Sequence, residues 1–245
     1  MRLDVYLAEG AFVDSRTDAK GFILAGAVAV NGKTVKKPSF EVDGSEEILV
    51  DKSGKRFVSR GGLKLEAALD TFSIDVTGAM ALDVGASSGG FTDCLLKRGA
   101  THVIAVDSGS GQMVESLRND GRVTVIENFN ARYMSPSDFQ YTPNLAVMDV
   151  SFISAKLIMP AVSAVLAEGG RFVCLIKPQF EVGRGGLNKK GIVKNDNLRR
   201  SAVDDVVLFA EPCGFDLLGL IQSPVIGGDG NLEYLAYFVK KELII

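Results

Sequence analysis

The sequence predicts an α/β protein, a mostly parallel sheet covered by helices on both faces, with a small α+β domain in front of it. Three observations predict this. From Phe57 onward, short apolar runs alternate with helical patterns, as in a sheet buried on both sides. Within that alternation the run Ala81-Leu82-Asp83-Val84 enters a glycine-rich turn, Gly85 to Gly90, and then a helical stretch, Asp93 to Arg98. The leading residues follow another pattern, two short helical stretches and a hairpin. Residues 1–58 and 59–245 are therefore expected to be separate domains.

The elements follow in chain order. Leu3, Val5, Tyr6 and Leu7, then Ala19, Phe22, Ile23 and Leu24, fit two short helices, with Ser15 as N-cap of the second. Val28 and Val30 alternate, Asn31-Gly32 supplies a tight turn and Val35 returns, which predicts a β-hairpin. Ile48–Val50 is a last short strand, and the polar stretch 51–56 is a linker. Strands are then expected at Met80–Val84, His102–Val106, Val123–Glu127, Leu145–Val150, Arg171–Ile176, Leu217–Gln222 and Tyr234–Val239. Glu168-Gly169-Gly170-Arg171 splits the apolar stretch 159–176 into a helix and a strand. A turn over Gly227–Asn231 sets the last two strands antiparallel, so the sheet is mixed.

Composition narrows the function. The chain of 245 residues is 47% apolar and 23% charged, with a net charge of −3. Positive charge is local. Lys177, Arg184, Lys189, Lys190, Lys194, Arg199 and Arg200 stand against only Glu181 and Asp196, an excess suited to phosphates. Three scattered cysteines without a C-x-x-C pair are expected to be reduced thiols in the cytoplasm. With His102 as the single histidine, histidine triads and histidine-rich metal sites are excluded, and no metal is expected. The first residues lack a signal-peptide pattern and no run of about 20 apolar residues occurs, so no membrane association is expected.

Glycines between a strand and a helix let a ligand approach bare backbone at a helix N-terminus. Asp107 ends the next strand about 22 residues after Gly85, where an acid takes ribose hydroxyls. The string Gly85-Ala86-Ser87-Ser88-Gly89-Gly90 lacks the third-position glycine of the nicotinamide fingerprint and the Lys-Ser/Thr ending of a P-loop. An acid two residues before the first glycine suits S-adenosylmethionine, a cationic nucleoside without phosphate. Candidate cofactor contacts are Asp83, Gly85, Ala86, Ser87, Gly89, Gly90, Phe91, Asp107, Asn128, Asn130 and Asp149.

Ligands of open α/β sheets bind beyond the carboxyl ends of the strands. Asp149 and Ser151, then Lys177, close two strands at that edge, Glu233 opens the antiparallel last strand there, and Lys64 precedes the first strand of the larger domain. Two lysines and two acids on one rim suit methylation of a hydroxyl. A lysine serves as base there once burial or a second cation draws its pKa well below about 10.4.

These strings carry resemblances. Arg2-Leu3-Asp4, Ser15-Arg16, Ala19, Ile23, Gly26, Val28, Val30-Asn31-Gly32 and Lys36-Lys37-Pro38 resemble the small RNA-binding domain named after ribosomal small-subunit protein four. The larger domain resembles FtsJ-type, Rossmann-like class I methyltransferases through Ser59–Leu65, Asp83–Thr92, Asp149–Ser154, Leu175–Glu181 and Gly230–Tyr234. Together they resemble the TlyA/hemolysin A family over essentially the whole chain. The resemblance implies a catalytic set of Lys64, Asp149, Lys177 and Glu233, with Lys177 as base. It also implies 2′-O-methylation of cytidine in rRNA with S-adenosylmethionine, and rRNA or ribosomal subunits as partners. RNA contacts are expected at Arg2, Arg16, Lys20, Lys33, Lys36, Lys37, Arg60, Arg184, Lys189 and Lys190. Relatives often carry an acid after the third strand for the adenine amino group. Asn128 and Asn130 stand there in this chain. A haemolysin, a non-catalytic RNA-binding or ribosome-assembly factor, and a dinucleotide oxidoreductase remain as competing readings.

Overall fold

A computed structural model describes residues 1–24, 26–50, 56–227 and 230–242, apart from the side chain of Arg184. Most of the expected linker and Gly228 and Asp229 of the last turn lie outside the described residues. The chain forms two compact units, Met1–Arg56 and Phe57–Ile245.

In the first unit, α1 (Leu3–Glu9) and α2 (Arg16–Leu24) precede β1 (Val28–Val30), β2 (Lys33–Thr34) and β3 (Ile48–Val50), in a sheet of order β2-β1-β3. Ser15 Oγ accepts from the Asp18 backbone N–H at 3.1 Å, the expected cap on α2. Leu3, Leu7, Ala19, Ile23, Val28, Val30 and Val42 form a small core. Leu24 ends α2 and lies exposed.

The second unit runs α3 (Gly61–Thr71), β4 (Met80–Val84), α4 (Gly90–Lys97), β5 (His102–Val106), α5 (Glu115–Arg118), β6 (Val123–Ile126) and β7 (Leu145–Met148). It continues through α6 (Met159–Val165), β8 (Arg171–Ile176), α7 (Asp196–Ala210), β9 (Phe215–Gln222) and β10 (Tyr234–Lys240). The seven strands take the order β6-β5-β4-β7-β8-β10-β9. Six of them run in one direction, and β10 is reversed, entering antiparallel between β8 and β9.

Strand residues alternate between two cores. Ala81, Val103, Leu145, Val173 and Leu235 pack beneath Leu65, Leu69 and Leu95 of α3 and α4. Leu82, Ile104, Met148, Phe172 and Phe238 pack on the other face against Met159, Val162, Val203 and Val206 of α6 and α7. Burial on both faces explains the near-continuous apolar strand runs. Each buried leucine, isoleucine, valine or phenylalanine contributes about 1.5–3 kcal/mol.

Four strand limits differ from expectation, the smallest difference being β10, which runs one residue further, to Lys240. β6 stops at Ile126 because Glu127 turns out to bind Arg118 and the Gly111 N–H. β7 stops at Met148, which frees Asp149 and Val150 for the edge. β9 starts earlier, at Phe215, and a bulge interrupts its pairing with β10. Helix α4 also begins earlier, at Gly90, because Gly89 adopts φ +94° and turns the chain directly into the helix.

Candidate active site

The parallel strands all end at one edge, and the candidate residues of the larger unit gather there. At the end of β4, Asp83 is fully buried and its Oδ2 accepts the Thr92 hydroxyl at 2.6 Å. Among the described residues its Oδ1 has no hydrogen-bond partner. Burial, aided by the nearby Asp149 charge, pushes the Asp83 carboxyl up to about 7.

The turn after β4 is shaped by its neighbours. Gly85 sits at φ +83°, and a Cβ there would lie 2.4 Å from the backbone oxygen of Asp149. Only glycine fits both the torsion and the crossing chain. The N–H groups of Gly85 and Ala86 bond Val106 O, which joins the turn to the end of β5. Ser87, at φ +47°, donates its N–H to Asp107 Oδ2 at 2.8 Å, and Gly109 donates to Oδ1 at 2.7 Å. A carboxylate has about four lone-pair sites, so Asp107 keeps capacity for ribose hydroxyls. Phe91 is turned into the core, so only its backbone faces the turn. Asn128 stands at φ +54° with its N–H on Gly109 O. Asn130 Oδ1 receives the N–H and Nε of Arg132, so that oxygen is already engaged.

The rim holds two lysine–carboxylate pairs. Lys177 Nζ lies 2.6 Å from Asp149 Oδ1, an ionic contact outside hydrogen-bond geometry, and donates to Ser151 Oγ at 2.8 Å. Lys64 Nζ lies 2.5 Å from Glu233 Oε2, with both side chains buried. Strand register brings the pairs together, because Tyr234 pairs with Ile176 and so sets Glu233 beside the end of β8. Gln179 Nε2 reaches Glu233 Oε1 at 3.4 Å and links the Lys177 loop to the second pair.

Sequence reasoning missed three features. Glu181 accepts the Ser154 hydroxyl at 2.5 Å and the Ala155 N–H at 2.8 Å, which fastens the loop after β7 to the loop after β8. Phe152, three residues after Asp149, is 91% exposed at φ +64°, with its ring 5.2 Å from that of Phe180. A bulky residue held at positive φ and exposed is strained, which marks it as a functional candidate. Thr92, the partner of Asp83, was the third. Its position one turn into α4 was the available signal.

Of the expected RNA contacts, Lys20, Lys33, Lys36, Lys37, Arg60, Lys189 and Lys190 are exposed, and the Arg184 side chain lies outside the described residues. Arg2 and Arg16 both bind Asp4, at 2.9 and 3.0 Å, and each keeps about half of its side chain exposed. The Arg2 hydrogen bonds, and then those of Arg16, hold the Asp4 carboxyl down at about 2.

The sheet order, with an antiparallel strand inserted next to the last position and a glycine turn opening onto Asp107, defines an S-adenosylmethionine-dependent methyltransferase fold. Residues 57–240 match the FtsJ-like methyltransferase family and residues 1–48 the S4 domain, so the chain belongs to the FtsJ-like methyltransferases. Hemolysin A of Brachyspira hyodysenteriae is 44% identical, over 98% of this chain and all of that protein. The 16S/23S rRNA (cytidine-2′-O)-methyltransferase TlyA of Mycobacterium tuberculosis is 41% identical, over 96% of this chain and 88% of that one. A solved structure described as a hemolysin from Streptococcus thermophilus superposes with a TM-score of 0.80 at 42% identity, covering 99% of this chain and 89% of its own.

The residues present fit the cofactor. The turn at Gly85 would be filled by any Cβ, Asp107 has spare acceptor capacity, and Asp83 Oδ1 is an unpartnered buried oxygen beneath the turn. No helix among the described residues is long and apolar enough to cross a membrane.

Proposed function

We propose that the protein transfers a methyl group to the 2′-oxygen of a cytidine in rRNA, acting on ribosomal subunits or their RNA in the cytoplasm. The observation that carries this reading is the rim of two lysine–carboxylate pairs beside the Gly85–Gly90 turn. Bound S-adenosylmethionine supplies an electrophilic methyl group. The backbone of Gly85, Ala86, Ser87, Gly89, Gly90 and Phe91 would hold it, with Asp107 on the ribose hydroxyls and Asp83 supporting the turn from below. Asn128 and Asn130 would border the adenine.

A ribose hydroxyl attacks well only as its proton leaves. Lys177 would accept that proton as the 2′-oxygen bonds to the methyl carbon, whose bond to sulfur would break and leave S-adenosylhomocysteine. Asp149, 2.6 Å away, holds the ammonium that results. Lys64, held in place by Glu233, orients the ribose oxygen. Placing the nucleophile in line supplies much of the rate. In the first unit, the exposed lysines would contact phosphates, which position the RNA without reading its sequence.

The test is incubation with tritiated S-adenosylmethionine and rRNA or subunits from a strain lacking the gene, followed by digestion to nucleosides. Label in 2′-O-methylcytidine is the expected result. Absence of label, with no cofactor binding by calorimetry, would leave a non-catalytic RNA-binding protein. The hemolysin names of two relatives give a second reading. Red-cell lysis by the same preparation without RNA labelling would favour it.

A further inference from the structure

We infer that residues 187–193 form a preorganised basic finger, fastened beside the catalytic rim by Asn231, and that Lys189 and Lys190 at its tip grip phosphates of RNA flanking the target nucleotide. The inference rests on the RNA-methylating reading above and adds a surface and a positioning residue to it.

The finger is built like a small hairpin. Leu187 and Val193 form an antiparallel bridge, and Asn188 donates its N–H to Ile192 O at 2.8 Å. The turn closes through the Gly191 N–H on Asn188 O at 3.0 Å, with Gly191 at φ +73°. The Asn188 side chain completes it, since Oδ1 accepts from Lys190 N at 2.8 Å and Ile192 N at 3.0 Å. Lys189 and Lys190 stand exposed at this tip, and among the described residues neither is drawn into an ion pair. An ordered turn bearing two free ammonium groups loses little entropy when phosphates bind.

A buried amide ties the finger to the segment before β10. Asn231 is 4% exposed, its Oδ1 accepts from Val193 N at 3.2 Å, and its Nδ2 donates to Gly191 O at 3.0 Å. The asparagine amide places that acceptor and donor on two separate atoms, whereas aspartate would set oxygen against the Gly191 carbonyl. Asn231 itself is tied to the chain by the Gly227 N–H on its backbone oxygen at 2.9 Å. It lies two residues before Glu233, whose carboxylate holds Lys64. The basic tip is thereby fixed to the same segment that completes the rim. RNA is the partner the charge favours, because the tip is cationic in a protein of net charge −3.

The test uses the full-length protein and deproteinised rRNA from a strain lacking the gene. RNA affinity is measured across a salt series, with hydrogen exchange read in parallel. The double variant Lys189→Ala/Lys190→Ala removes only exposed charge and should bind about tenfold more weakly, with the salt slope shallower by about 1.4–1.8. Asn231→Ala and Asn231→Asp keep both lysines. They should weaken RNA binding several-fold at nearly unchanged salt slope, with faster exchange at the amides of Gly191, Ile192 and Val193. Lys241→Ala, an exposed lysine at the far end of β10, should match wild type.

Wild-type affinity and slope in the double lysine variant would overturn the inference and leave an ordinary solvated loop. Wild-type affinity in the Asn231 variants despite faster exchange would remove the fastening role. A wild type whose RNA binding depends on Lys189 and Lys190 but which transfers no methyl group would sink the methyltransferase reading and keep the finger.

Discussion

Gly85→Ala perturbs the point where the turn after β4 meets the loop after β7. Gly85 stands at φ +83°, and an alanine there costs about 1–2 kcal/mol in torsion alone. The new methyl would also sit 2.4 Å from the Asp149 backbone oxygen and 3.0 Å from its carbonyl carbon. Backbone cannot swing aside as a side-chain tip does, so overpacking adds about 1–3 kcal/mol. Together these give about 2–5 kcal/mol, or a fall in Tm of roughly 4–20 °C for a unit of this size. Because the displaced carbonyl belongs to Asp149, the contact to Lys177 should loosen and methyl transfer should fall with stability. Gly78→Ala separates the two terms, since Gly78 has φ +72° with nothing within 4 Å of its Cβ position. It should show the torsional cost alone, about 2–8 °C. Calorimetric melting of both variants, with activity measured below the transition, is the assay. A Gly85→Ala protein melting no lower than Gly78→Ala, with wild-type activity, would refute the claim that the crossing at Asp149 requires glycine.

Three further predictions follow from the site. The folded-state pKa of Asp83 is raised to about 7 from an unfolded value near 4, so the fold favours the protonated carboxyl. The cofactor-free protein should lose stability as pH rises between about 4 and 7, by up to about 4 kcal/mol, and hold level above. Urea titrations of Asp83→Asn should lack that slope, and an unchanged slope would assign it to other groups. Phe152→Ala should leave Tm within 2 °C, because an exposed ring supports little, yet lower kcat/KM for RNA about 5- to 150-fold through a lost stacking surface of about 1–3 kcal/mol. Wild-type kinetics would show the ring to be idle. Lys64→Met leaves the buried Glu233 carboxylate unpaired and should cost about 3–5 kcal/mol in chemical denaturation. Adding Glu233→Leu should restore stability without restoring methylation, and recovered activity would mean the pair is only structural.

Elements and chemistry differed in how far the sequence reveals them. Strands β4, β5 and β8 were legible to the residue because burial on both faces writes them as unbroken apolar runs between turns. The start of α4 was not, since Gly89 and Gly90 read as a loop until the left-handed torsion at Gly89 is seen. The extension of β9 to Phe215 was hidden because exposed leucines and a bulge break its alternation. Strand ends and spacing placed polar residues at one edge, but the pairing of partners was a matter of register. Lys64 and Glu233 meet across 169 positions only because β10 turns back between β8 and β9. Nor did local pattern show that Asp83 is engaged by Thr92, that Phe152 projects outward at positive φ, or that Asn231 fastens the 187–193 turn. Each depends on contacts between segments far apart in the chain.

The central claim is that Lys177 removes the ribose proton, and Lys177→Ala tests it most directly. Wild type and variant would be given tritiated S-adenosylmethionine and unmethylated rRNA, and S-adenosylhomocysteine binding would be measured for both by calorimetry. The expected result is label in 2′-O-methylcytidine with wild type, a loss of about 10²–10⁴-fold in the variant, and cofactor affinities within about threefold. A Lys177→Ala protein that labels rRNA at the wild-type rate would contradict the assignment of the base.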